Sequence, residues 1–327
     1  MPTSPSRSSS RSRARRASVT LLLVLLVVAG VGLLFRQGVG PLPDPEGCTA
    51  EVGGVVVDLS VEQAENAALI AAIGVRRGLP ARAVSIALAT AYQESKIENL
   101  DHGDRDSLGL FQQRPSQGWG TEEQITDPYY STNKFYDELV KIDGFETMRI
   151  TEAAQRVQRS GFPEAYEDHA EDGRALASAL TGYSPAEFSC VVREESADEQ
   201  ELNAGGLTPR AAAVRRDVER AFGAQSLGGF QPGGVRDGHM EGSAHYEGRA
   251  IDIFFRPVNP DTQRRGWAVA HYLVAQADRL GIRTLIFDDR VWTAGRSESG
   301  WRDYDPGDGP GDRAVLEHRD HVHVDVG

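Results

Sequence analysis

From Ser60 onward apolar residues recur every three or four positions. Ala64, Ala67, Ala68 and Ala71 share one helical face, and Ser60-Val-Glu-Gln63 ahead of them has the form of a capping box. Gly78-Leu-Pro80 stops that helix, and a second apolar stretch runs from Ala83 to Tyr92. Further helices are predicted over 131–141, 151–159 and 164–181, and no strand alternation of any length precedes Cys190. This part of the chain is therefore expected to be mainly α. Arg193–Asn203 is charged, short of apolar residues, and reads as a linker. Thr208-Pro209 then supplies the N-cap and first residue of a helix ending near Gly223. Beyond it the period is mixed. Ala250–Phe255, Thr284–Phe287 and Val322–Val326 read as strands, and Arg264–Leu280 as an amphipathic helix stopped by Gly281. The second part is expected to be α+β, and no internal repeat is present.

The first residues differ in kind. Arg7, Arg11, Arg13, Arg15 and Arg16 lie among serines, and Val19–Phe35 follows with 17 uncharged residues before Arg36. As a helix that stretch is roughly 25 Å long, the short end of a bilayer core. The basic flank favours the cytoplasmic side, and no convincing cleavage site follows. The expected layout is a basic cytoplasmic tail (1–18), a transmembrane anchor (19–35), a Gly/Pro-rich stalk (36–57), a mainly α domain (58–190), a linker (191–207) and an α+β domain (208–327). The expected localisation is a single-pass plasma-membrane protein with its domains extracytoplasmic. Cys48 and Cys190, the only two cysteines, then read as one disulfide. Beyond Arg36 there are 29 basic against 48 acidic side chains, a balance that excludes nucleic acid as a partner.

Two constellations carry chemistry. The first is Gln93-Glu94-Ser95 at the end of an apolar helix, followed by Gly103-Asp-Arg-Asp-Ser-Leu-Gly109-Leu-Phe-Gln112. A carboxylate at the negative end of a helix dipole resists ionisation, and a carboxyl group still protonated near neutral pH can act as general acid. Trp119, Tyr129 and Tyr130 offer flat faces for sugar rings. Glu-Ser followed by Gly-Leu-Phe-Gln resembles the soluble lytic transglycosylases and goose-type lysozymes over about residues 58–185. The resemblance implies a lysozyme-like fold and cleavage between N-acetylmuramic acid and N-acetylglucosamine. It makes Glu94 the acid, with Ser95, Gly109 and Gln112 in the cleft. It favours a single-acid reaction giving a 1,6-anhydro sugar; for an ordinary two-acid hydrolysis, Asp104 and Asp106 are the nearby second carboxylates.

The second constellation is Ser243-Ala-His245-Tyr-Glu-Gly248-Arg-Ala250-Ile-Asp252 with, later, Glu317-His-Arg-Asp320-His321-Val-His323-Val-Asp325. His and Asp offer nitrogen and oxygen donors, and three protein ligands plus an open position describe a catalytic zinc site. In the last strand His321, His323 and Asp325 share one face, opposite three valines. The pattern resembles the D-alanyl-D-alanine carboxypeptidase-type zinc peptidases. The resemblance implies zinc held by His245, Asp252 and His323, Asp320 as general base with Glu317 as its competitor, and His321 beside the metal-bound water. Arg236 is the candidate for stabilising an oxyanion. Both resemblances point at one polymer, through its glycan strand and its stem peptide. The expected function is a bifunctional peptidoglycan hydrolase for cell-wall remodelling; the rival is a non-catalytic wall-binding or scaffold protein.

Overall fold

The structure, a computed structural model, describes residues 46–194, 200–307 and 311–327. Residues 46–327 pack as one compact unit. It opens with a hairpin, β1 (Gly47–Val52) and β2 (Val55–Leu59), in the stretch expected to be a Gly/Pro-rich stalk, so strands do precede Cys190. The reason is local: Gly53 and Gly54, at φ +61° and +87°, form a two-residue turn of the kind whose twist suits a hairpin. β3 (Phe188–Val191) returns to the other edge of β1, giving the order β2-β1-β3. That register sets Cys48 opposite Cys190, and the two form a disulfide.

The helices follow the predicted pattern with shifted ends. They are α1 (Val61–Arg76), α2 (Ala81–Ser95), α3 (Pro128–Leu139), α4 (Ile150–Gln158) and α5 (Ala170–Leu180). Ser60 and Gln63 close the expected capping box on α1. Small residues let these helices approach closely. A Cβ on Gly173 of α5 would lie 2.7 Å from the Ser85 carbonyl of α2.

The C-terminal part begins with α6 (Pro209–Phe222), capped by Thr208. A six-stranded antiparallel sheet follows: β4 (Leu227–Gly228), β5 (Ala250–Phe254), β6 (Ile282–Phe287), β7 (Arg290–Thr293), β8 (Arg302–Asp303) and β9 (His321–Val326), in the order β4-β5-β9-β6-β7-β8. α7 (Pro260–Ala275) bridges the two parts. Its buried His271 donates through Nδ1 to the Ala179 carbonyl at 2.9 Å, while the Trp292 and Trp301 indoles donate to the Cys190 and Phe188 carbonyls. The expected helical and α+β characters thus meet in a shared core.

Among the described residues no helix is long and apolar enough to cross a membrane. The longest, α1 and α7, have 16 residues each and carry charged side chains on their solvent faces, whereas a span needs about 20 apolar residues. The expected fold class is corrected accordingly to α+β with no anchor helix among the described residues, and the single-pass membrane localisation is withdrawn. The segment 19–35 on which both rested lies outside the described residues.

Candidate functional site

Two sites stand at the predicted constellations. The first is built on the last turn of α2, which Lys96 ends in the left-handed conformation. The Glu94 carboxylate accepts from the Tyr166 hydroxyl at 2.6 Å and from the Gln158 amide at 3.2 Å. Burial pushes the Glu94 carboxyl above its ordinary range, and these two hydrogen bonds pull the other way. The direction is the one the helix-end position suggests, but its principal cause is desolvation. Tyr166 and Gln158 lie 72 and 64 residues further along the chain, so nothing local in the sequence points to them.

The glycine-rich segment is laced to this helix end. The Ser95 hydroxyl donates to the Leu110 carbonyl at 2.8 Å, and the Gln158 amide to the Phe111 carbonyl at 2.7 Å. Gly109, at φ +72°, passes so close to the Ile125 carbonyl that a Cβ would lie 2.5 Å from it. Gln112 spends its amide on the His102 and Gly109 carbonyls. Ser95, Gly109 and Gln112 therefore brace the loop that frames Glu94. Trp119 lines a cleft beside it, and Tyr130 donates to the Trp119 carbonyl; Tyr129 instead lies under the Arg220 guanidinium. Neither acid weighed as a second carboxylate hydrogen-bonds to Glu94. Asp104 is exposed, and Asp106 is held well below the usual carboxylate range by Ser116 and Arg114.

The second site is made by strand register. Antiparallel pairing sets Asp252 of β5 directly opposite His323 of β9, and Phe254 opposite His321. His245 enters from the one-turn helix before β5, whose C-terminal Gly248 turns at φ +64°. Its Nδ1 lies 2.7 Å from the Gly229 carbonyl. Since a carbonyl can only accept, that nitrogen carries the proton and Nε2 is left as the free donor atom. The fit is close: a Cβ on Gly229, at φ +77°, would stand 2.5 Å from Nδ1. His245 Nε2, Asp252 Oδ1 and His323 Nδ1 form a triangle with edges of 3.2, 3.2 and 3.0 Å. Two ligands about 2.1 Å from a tetrahedral ion are about 3.4 Å apart, so the three donors fit a small divalent cation. His239, which the sequence reading missed, also offers a ligand atom within 4.8 Å of those of His245 and Asp252. Its ring stacks on His245 at 3.9 Å, and the Tyr246 hydroxyl holds its backbone. His239, His245 and Asp252 are thus a possible metal-binding triad, with His323 against it.

Burial works against charge on this cluster, yet mutual hydrogen bonds overcome it. Asp252 is held well below the usual range by His245 and His323, and His323 is pushed up to about 9 by Asp252 and Asp325. The remaining candidates are placed differently from the motif reading. Asp320 spends both oxygens, one on His321 Nδ1 at 2.7 Å and one on Arg256 at 2.6 Å. Glu317 is paired with Arg313 and Arg319. His321 Nε2 lies 3.8 Å from Asp252 Oδ1. Arg236 is exposed, while Arg249, Arg256 and Arg283 line the cleft of about 800 Å³ into which the histidines open. His318 lines it too, pushed down to about 3 by burial.

No curated protein matches the chain. A family model described as the VldE C-terminal domain matches residues 203–314, a stretch that includes His239, His245 and Asp252 and stops short of β9.

Proposed function

We propose that this chain is a peptidoglycan hydrolase with two centres, a zinc peptidase at His245, Asp252 and His323 and a glycosidase at Glu94. The observation that carries the proposal is the triangle of two imidazole nitrogens and one carboxylate oxygen at mutual distances of 3.0–3.2 Å, opening into a cleft. That donor set suits zinc, which when bound would polarise a scissile carbonyl and lower the pKa of a coordinated water. Around it, this chain's own groups have defined tasks. The Gly229 carbonyl fixes the His245 tautomer. Asp320, clamped by Arg256, orients His321 rather than facing the cleft as a free base. His321 is then the group that takes up and returns the proton during peptide hydrolysis, since its Nε2 is turned toward Asp252 and the cleft.

The glycosidase half is supported by Glu94, whose carboxyl group burial biases toward the protonated form while Tyr166 and Gln158 hold it in place. A carboxyl group in that form can protonate the glycosidic oxygen as general acid. Digestion of purified peptidoglycan with the full chain, read by mass spectrometry, tests both halves. The expected fragments show cut stem peptides and cut glycan, the first lost in His245→Ala and the second in Glu94→Gln. Intact polymer that merely co-sediments with the protein would make it a wall-binding scaffold.

A further inference from the structure

Gln158 has two faces. Its amide donates to Glu94, and the residue also lines a cleft of about 700 Å³. The wall of that cleft carries Trp119 and four cations, Lys134, Lys141, Arg156 and Arg159, against a single carboxylate, Glu138. This charge is the reverse of the chain as a whole, where acids outnumber bases 48 to 35. The one acid is already shared, its Oε1 lying 2.7 Å from Lys141 and 3.9 Å from Lys134. Arg156 is paired with Glu152 along its own helix. The Arg159 side chain, on the left-handed residue that ends α4, has no hydrogen bond or ion pair among the described residues.

Four cations lining one cleft against a single carboxylate, beside an acid proposed to work on a glycosidic bond, call for an anion on the glycan itself. A chitin-like strand carries none. A muramic acid strand does, because each lactyl group bears a carboxylate or a peptide ending in carboxylates. Guanidinium and ammonium groups bind such carboxylates through charge-assisted hydrogen bonds. We propose that this cleft is a carboxylate subsite for the peptide stems of the strand, with Arg159 and Lys134 as its principal cations, so that the glycan centre selects peptide-bearing over neutral glycan. The proposal rests on Glu94 acting on peptidoglycan, and its test is chosen to separate the two.

Binding of a soluble N-acetylglucosaminyl-N-acetylmuramoyl-tetrapeptide and of neutral chitobiose to the full chain is measured by calorimetry, with a chelator present so that the peptide stays intact. Wild-type and Glu94→Gln protein are expected to prefer the peptide-bearing compound. The double variant Lys134→Ala/Arg159→Ala should bind it about tenfold more weakly. In turnover, the ratio of kcat/KM on peptide-bearing strands to that on chitooligosaccharide falls to match, through KM. Equal affinity of double variant and wild type for the tetrapeptide compound, or no wild-type preference over chitobiose, overturns the subsite. Glycan cleavage surviving in Glu94→Gln would instead remove the acid assignment, while the binding comparison still decides the subsite.

Discussion

Glu94 works, on this reading, because its surroundings withhold charge from it. General-acid catalysis is worth about 10²–10⁴-fold, and an amide cannot donate the proton, so Glu94→Gln should lower muropeptide release by that factor with the circular dichroism unchanged. The pH dependence has a definite sign. A raised pKa keeps the acid protonated further up the scale, and activity is lost as pH rises through it. The Tyr166 hydroxyl favours the ionised form, so Tyr166→Phe should move the alkaline limb of the pH–rate profile upward. An unmoved limb would mean that Tyr166 does not hydrogen-bond to the carboxylate in the working enzyme. At the other centre, ligand and orienting residue separate cleanly. His245→Ala should abolish stoichiometric zinc in metal analysis. Asp320→Asn should keep the metal and lose about 10–100-fold in peptide cleavage, because it disturbs only the group that holds His321. Loss of zinc in that variant would place Asp320 among the ligands.

At the scale of elements, the sites are consequences of register and close approach. A one-residue slip of β9 against β5 would turn His323 away from Asp252 and send a valine into the cleft. β4 contributes through the residue that follows it, Gly229, where any side chain would collide with His245. Gly229→Ala is therefore expected to weaken zinc binding at least tenfold in a chelator competition. Gly233→Ala is the control, since it shares the positive φ but meets nothing within 4 Å, and its zinc affinity should stay near wild type. Near the first site, Gly109→Ala combines a left-handed backbone with a contact to Ile125. It should cost roughly 1–3 kcal/mol in denaturant unfolding.

For the molecule as a whole, the helical and α+β parts are tied together by β3, α7 and a buried seam of indole and imidazole contacts. Residues 46–327 should accordingly unfold in one calorimetric transition; two well-separated transitions would show parts that are stable alone. The Cys48–Cys190 crosslink spans 142 residues and fastens the returning strand to the first. Replacing both by serine is expected to lower unfolding free energy by about 2–5 kcal/mol, and thiol titration of the unreduced, unfolded chain should find none free.

What the sequence by itself determined is whatever short-range chemistry dictates. Helical periodicity and the Ser60 and Thr208 caps located α1, α2 and α6 because a helix is built from contacts within four residues. The alternation His321-Val-His323-Val marked β9, and the spacing from His245 to Asp252 marked two of the donors. The hairpin at Gly53-Gly54 was legible in principle, but its Gly-rich surroundings read as a stalk. Tertiary structure alone decided the rest. Tyr166 and Gln158 meet Glu94 only because α4 and the segment after it fold across α2. Asp320 faces Arg256 instead of the cleft, and His239 comes to rest on His245 through a loop with no periodicity to read. Such placements depend on contacts between residues far apart in the chain, which neither propensity nor spacing encodes.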